Sequence, residues 1–308
     1  MRTFLVFLAS RAGRAVVALW LVSTVVFVVM RLSGDPTPLL LPPDAPRSEI
    51  FRLRTELGLD RPLPVQYAVF MGNLLRGDFG QSIRFKGPAI GVVVERLPAT
   101  LELGLTSFGL AVLIAVPIGL LSAVYRNSPL DHAAMGVALI GQSAPTFFIG
   151  ILFILVVSVK LGLLPTSGRG DWRNLLLPAV TLGLFGMASV ARLTRSAVLE
   201  VLRADYIRTA RAKGLAETLV IAKHTFKNAA IPIVTITGLQ FGSLLAGAVV
   251  TETVFAWPGI GRLAIQAIYN RDYPVVQCVV LLSAALFVVV NLAIDAIYGL
   301  LDPRIRVR

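Results

Sequence analysis

Thiol and imidazole are nearly absent from this chain: 308 residues hold one cysteine, Cys278, and two histidines, His132 and His224. Cys278 lies inside an apolar run, which excludes a disulfide framework and a cysteine-based metal cluster. The histidines are far apart in sequence and have no ligand-type neighbours, so a metal-dependent hydrolase has no support. There is no Gly-x-x-x-x-Gly-Lys-Ser/Thr segment, so the chain cannot bind ATP through a P-loop. Paired carboxylates and a nucleophile triad at usable spacing are missing, as is any internal repeat. Charge is scarce too, at 15% of residues against 56% hydrophobic, a balance that only a polytopic membrane protein fits. The net charge of +12 looks like a nucleic-acid footprint until the basic residues are placed. They sit in loops and tails, where anionic headgroups and the positive-inside rule account for them. No basic stripe is interleaved with aromatics.

Six apolar runs are present, at 15–30, 101–125, 133–159, 175–191, 231–250 and 275–299. Each is near the ~20 residues that a helix needs to cross ~30 Å of hydrocarbon. Residues 1–14 are basic and amphipathic and read as a surface segment ahead of an uncleaved first span, because Arg31-Leu32-Ser33-Gly34-Asp35-Pro36 follows the run in place of a small-residue cleavage site. The proline-punctuated stretch 33–100 reads as a folded extracytoplasmic insert, with a short helix capped by Ser48 and ending at Leu57-Gly58, and another from Gln66 to Leu75. Basic residues near the span ends place both termini, the loop 126–132 and the loop 192–230 in the cytosol. Ionisable groups at depth are missing: Glu102 and Asp295 both lie near span ends. A proton- or sodium-coupled carrier needs such groups, so the energy for any transport is expected from another subunit. Pro117, Pro145 and Pro178 are expected to kink their spans.

The long polar interval 192–232 stands apart from this material. Arg192, Arg195, Arg203, Arg208, Arg211, Lys213, Lys223 and Lys227 face only Glu200, Asp205 and Glu217. Leu199, Leu202, Tyr206 and Ala210 recur at helical spacing, so the segment reads as a surface helix with one apolar stripe. Gly214 stops it in the left-handed conformation, and a second short helix follows at about 216–226. Two uses are open on chemistry alone: a shape gripped by a cytosolic partner, or a basic loop lying on lipid headgroups.

Small residues at Gly238, Gly242, Ser243 and Gly247 in the fifth run suit close helix packing or the lining of a pathway. The segment 251–274, with Glu252, Trp257-Pro258-Gly259, Asp272 and Tyr273, reads as an interfacial anchor and tight turn, or as a plain re-entrant connector. Residues 263–269 are expected to form a short helix there.

Four stretches together carry a family resemblance: Leu32-Ser33-Gly34-Asp35-Pro36; Leu57-Gly58-Leu59-Asp60 with Pro62-Leu63-Pro64-Val65-Gln66-Tyr67; Gly77-Asp78-Phe79-Gly80 with Glu95-Arg96-Leu97-Pro98-Ala99-Thr100-Leu101-Glu102-Leu103; and Thr209-Ala210-Arg211-Ala212-Lys213-Gly214-Leu215 with Trp257-Pro258-Gly259 and Asp272-Tyr273-Pro274. On these, across essentially its whole length, the chain resembles a permease subunit of a binding-protein-dependent ABC importer, of the dipeptide/oligopeptide/nickel type and its first-permease branch. The family's Glu-Ala-Ala-x-x-x-Gly signature falls on residues 208–214, where only Ala210 and Gly214 match.

The resemblance implies an all-α type I importer fold with six transmembrane helices: 1–32 as surface segment and first helix, 33–100 as insert, 101–301 as transmembrane core and 302–308 as cytosolic tail. It makes Arg208, Thr209, Ala210, Lys213, Gly214 and Leu215 the contact with a separate ATPase. It assigns Gly238, Gly242, Ser243 and Gly247 to the pathway, and Glu252, Trp257, Asp272 and Tyr273 to an outer gate facing the binding protein. The implied partners are a second homologous permease, two ATPases that bind ATP and Mg, an extracytoplasmic solute-binding protein and the inner-membrane lipids, with no nucleic acid. The chain itself would be non-catalytic and free of cofactors. Its solute would be small peptides, with nickel, glutathione or haem as alternatives on the same architecture; an autonomous carrier or membrane enzyme is the rival from another class.

Overall fold

Apolar content this high leaves the backbone no water to bond in a bilayer, so its polar groups must be satisfied internally, and helices do this within one segment. The computed structural model follows that rule. It describes residues 2–32, 34, 37, 41 and 45–301, with the backbone alone for residues 2–10, 236, 239, 242, 243, 245–247 and 295–301. Ser33, Asp35 and Pro36 of the first motif, the tail 302–308 and the side chains of Gly242, Ser243, Gly247 and Asp295 therefore lie outside the described residues.

The helices are α1 (Arg2–Leu32), α2 (Arg47–Glu56), α3 (Leu63–Leu75), α4 (Ala89–Val124), α5 (Pro129–Ser143), α6 (Thr146–Phe153), α7 (Trp172–Leu202), α8 (Asp205–Ala212), α9 (Glu217–Leu219), α10 (Lys227–Val254), α11 (Ile260–Tyr269) and α12 (Tyr273–Leu301). Two π-helical stretches, Ile154–Lys160 and Val220–Phe226, continue α6 and α9. Among the described residues four segments are long and apolar enough to cross a membrane, Arg11–Leu32, Ala89–Val124, Trp172–Leu202 and Tyr273–Ile294, and the bent pair Pro129–Ser143 with Thr146–Lys160 makes a fifth if it is one span. The fifth expected run lies within α10.

Two expectations are refined and two corrected. The expected surface segment, from residue 2 on, is continuous with the first span in one helix, α1. Helix α4 begins at Ala89, inside the stretch expected as insert, and the boundary between the compact units falls between Pro98 and Ala99. The cap of α2 is Pro46, not Ser48, which sits inside the helix; the fixed φ of proline sets that start without a side-chain bond. The third run is not one kinked helix but two, α5 and α6 with its π-helical extension, at 106° to one another. The break falls at Ala144, which is extended (ψ 136°) because Pro145 excludes the helical conformation from the residue before it.

The chain forms two compact units. The first, Met1–Pro98 with Gly259–Val289, holds the insert and α11. Its core gathers Ala89, Val93, Ile260, Leu263, Ala267, Val275 and Cys278. The insert is bonded to the turn between α11 and α12: Ser82 Oγ donates to Asp272 Oδ2 at 2.5 Å, and the Arg84 N–H to the same oxygen at 3.1 Å. The second unit, Ala99–Pro258 with Val290–Arg308, is built on α7, fourteen of whose residues are buried. Glycines let its helices touch: a Cβ on Gly119 of α4 would stand 2.7 Å from Thr194 Cβ and against the Ala191 carbonyl oxygen, and one on Gly183 of α7 would stand 2.9 Å from the Ser107 carbonyl oxygen. Close approach of this kind replaces the hydrophobic drive that lipid removes.

Candidate functional site

The polar interval folds differently from its periodicity. α7 runs on to Leu202, past the end of the apolar run, and the chain breaks at Arg203-Ala204 before α8 begins. One stripe over two helices therefore splits. Val198, Ile207, Ala210 and Val220 are the buried anchors, and Tyr206 points outward, 47% exposed. Ile207, Ala210 and Val220 pack together with Val201 beneath α8. Arg208, Thr209, Lys213, Gly214 and Leu215 all face solvent.

The turn that closes α8 is fully bonded. Lys213 is the C-cap, Gly214 takes φ +76°, the Gly214 N–H donates to the Arg211 carbonyl at 2.9 Å and the Leu215 N–H to the Ala210 carbonyl at 3.4 Å. That pair of bonds is a Schellman motif, which satisfies the last carbonyls of the helix and reverses the chain. Arg211 Nη2 and Nε bridge the turn to Glu217 at 2.5 and 3.0 Å, and this bond holds the Glu217 carboxyl below its ordinary pKa and the Arg211 guanidinium above its own. Both side chains are about half exposed, so the pair shapes the turn more than it stabilises it. The result is an exposed, basic, rigid knuckle on a buried apolar foot.

The connector 251–274 uses the same turn without glycine. α10 ends with Ala256 at φ +50°, the Trp257 N–H bonding the Glu252 carbonyl at 2.8 Å; α11 ends with Arg271 at φ +52°, the Asp272 N–H bonding the Ala267 carbonyl at 2.8 Å. A left-handed alanine or arginine is strained, and such strain persists only where its surroundings enforce it. At Trp257 they do: the ring is 1% exposed, its Nε1–H donates to the Ala99 carbonyl at 2.8 Å, and it packs with Leu103, Leu182 and Ala248. Glu252, fully buried, accepts from Thr100 Oγ1 at 2.6 Å, and Glu102 is paired with Arg169 at 2.6 Å. Trp257→Phe removes the indole donor, at a cost of about 1–2 kcal/mol. It is expected to lower the thermal midpoint of the purified protein by a few degrees; an unchanged midpoint would mean that the bond contributes nothing.

In the first unit Asp272 is fully buried and occupied by the insert, whereas Tyr273 lines a cavity of about 810 Å³ with Arg31, Arg61, Gln66 and Gln277. The residues assigned to the outer gate thus belong to the two units separately. Gly238 is buried in α10.

One charged group escaped the sequence reading. Asp131, 2% exposed, takes both Nε and Nη2 of Arg195 at 2.7 Å, with Ser122 Oγ at 2.8 Å and the Asn127 N–H at 2.9 Å. The only available signal was Ser128-Pro129-x-Asp131, a helix start, and it announces a cap rather than a buried carboxylate.

With this geometry established, comparison with known proteins places the chain. The family model "Binding-protein-dependent transport system inner membrane component" matches residues 115–307, and the model for that family's N-terminal part matches residues 4–104. The glutathione transport system permease protein GsiC of Escherichia coli (strain K12) is 44% identical over 289 residues, covering 94% of each chain. The protein of the same name in Salmonella choleraesuis (strain SC-B67) matches at 44% over the same share. Among solved structures, an inward-facing crystal form of the MetNI methionine ABC transporter aligns with TM-score 0.60 at 22% identity, over 68% of this chain and 96% of that one. An amino acid ABC transporter crystallised with histidines gives 0.53 at 18%, over 70% and 94%. At such identities the likeness speaks for the fold alone.

Proposed function

The chain belongs to the binding-protein-dependent inner membrane component family, as a permease subunit of an ABC importer with the type I fold, and from that premise we propose that it carries short peptides, glutathione-like tripeptides among them, inward across the inner membrane. The observation that carries the solute class is 44% identity, end to end, to permeases named for glutathione transport. A tripeptide falls within the peptide reading of the motifs, and nickel or haem gains nothing from this relative.

In the proposed cycle a second homologous permease completes the pathway, and two cytosolic ATPases bind ATP and Mg and hydrolyse it; this chain is non-catalytic and needs no cofactor of its own. Both termini and the Gly214 knuckle lie in the cytosol. ATP must bind the outward state better than the inward one, since otherwise it shifts no population. Closure of the ATPases displaces α8 through Arg208, Thr209, Lys213 and Leu215, which are exposed and project from a buried foot. A binding protein delivers solute on the opposite side, where Trp257, Glu252, Asp272 and Tyr273 shape the outer connector, and the α10 stripe at Gly238, Gly242, Ser243 and Gly247 borders the pathway.

Gentle detergent purification of the tagged chain, expressed with its neighbouring reading frames, tests the assembly. The expected result is recovery of a second permease and two ATPases. Vesicles containing that complex and its binding protein are then expected to take up radiolabelled glutathione or trialanine when ATP is supplied. A chain that purifies alone and still moves solute overturns the assembly; uptake of nickel or haem but of neither peptide overturns the solute class.

A further inference from the structure

Resting on the permease reading above, we propose that Asp131 and Arg195 are positioning residues forming a mechanical clamp, which makes the segment carrying the ATPase contact move as one body with the end of α4 and the start of α5. Asp131 gathers donors from three places: Ser122 in the last turns of α4, the backbone N–H of Asn127 in the loop, and the guanidinium of Arg195 on α7. The Ser128 hydroxyl caps α5 by accepting from the Asp131 N–H at 3.2 Å. Asn127 sits at φ +62°, a conformation that asparagine tolerates and that presents its N–H to the carboxylate.

Arg195 lies about two turns before the end of α7, and α8 follows after the break at Arg203-Ala204. Among the described residues the other ties near this end of α7 are mainly apolar, with Val198 packed against Ala123, Ala229 and Ile233, and Ile207 and Ala210 against Val220; one hydrogen bond further back, Gln142 Nε2 to Ser189 Oγ at 3.3 Å, joins α5 to α7. Apolar contacts have no preferred direction and let helices slide. A bidentate guanidinium–carboxylate fork fixes angle as well as distance, so it resists rotation where the apolar contacts do not. A buried pair is weak evidence for stability, whereas fixing a register is its best-attested use. Arg195 keeps a quarter of its side chain exposed, so when its partner is removed it can turn to water rather than unfold the helix.

The test uses the assembled complex with Cys278→Ala, and with spin labels at Arg126→Cys and at Tyr206→Cys, an exposed α8 position outside the proposed ATPase contact. The parent is expected to give one narrow distance distribution. Asp131→Asn and Arg195→Gln are expected to broaden it at least twofold, and Arg195→Lys, which keeps the charge but loses the fork, to broaden it by an intermediate amount. In vesicles, with whichever of glutathione or trialanine the parent imports, the ATP hydrolysed per solute should rise about tenfold while hydrolysis itself persists. A merely structural pair would lower assembly and both rates together and leave the ratio constant. That result, or narrow distributions in all three variants, would overturn the clamp. If the parent chain recruits no ATPase, the permease assembly fails, and the distance widths measured on the isolated chain still decide whether the clamp exists.

Discussion

Gly214→Val is expected to leave the membrane helices in place and to disconnect ATP hydrolysis from uptake. Nothing lies within 4 Å of where a Cβ on Gly214 would stand, so the substitution meets no neighbour. Its effect comes through the backbone, because φ is +76°. A side chain there costs about 1–2 kcal/mol, and a β-branched one falls at the upper end. The chain escapes that strain by letting the last turn of α8 unwind, which abandons the bonds to the Ala210 and Arg211 carbonyls and swings Lys213 and Leu215 off the surface proposed to meet the ATPase. About 1.4 kcal/mol is a factor of ten in an equilibrium, so uptake in reconstituted vesicles is expected to fall at least about tenfold. Hydrolysis and detergent melting should stay near those of the parent. Gly214→Ala should fall between the two, since it is strained but unbranched. Normal uptake by the valine variant would remove the turn from the coupling pathway.

Gly119→Val acts in the opposite way and is expected to yield no folded protein. At Gly119 the backbone is ordinary and the space is missing: a methyl group would press on the Ala191 carbonyl oxygen and on Thr194 Cβ, at 2.7 Å from the latter. A backbone oxygen cannot turn aside as a long side chain does, so α4 and α7 must separate. Overpacking typically costs about 1–3 kcal/mol for small insertions, and here the added atoms meet the main chain. Even Gly119→Ala should lower the thermal midpoint by several degrees and broaden the gel-filtration peak. Gly109→Ala and Gly136→Ala, on α4 and α5 with nothing within 4 Å of the added carbon, are the controls and should be neutral or slightly stabilising. If the alanine variant at residue 119 melts with those controls, the close approach is not what holds α4 to α7.

How much of this was legible beforehand differs from residue to residue. Gly58, Gly77 and Gly214 announced their turns, because glycine before a change of pattern is a local signal and all three have positive φ. Ala256 and Arg271 make the same turn and were invisible, since nothing in those residue types predicts a left-handed backbone; their surroundings impose it. Tyr206 was assigned to the buried stripe because 3.6-residue periodicity carries on through a break, whereas the chain interrupts the helix at Arg203-Ala204 and turns Ile207 inward instead. Among the glycines described, the closest backbone approaches lie at Gly119 and Gly183. Spacing alone does not say which glycine meets a neighbour.

The sequence by itself determined the class. An apolar surplus with so little charge permits a helical membrane bundle, and the motifs around Gly58, Gly80, Gly214 and Trp257 identified the importer family that the comparisons then established. Those properties rest on composition and on contacts between near neighbours in the chain, which a linear reading contains. The tertiary structure decided where the long-range contacts are: the Asp131–Arg195 fork, the Trp257 bond to Ala99, the Ser82–Asp272 tie and the Gly119 crossing. Each joins residues many positions apart, so its energy depends on distances that exist only once the helices have packed.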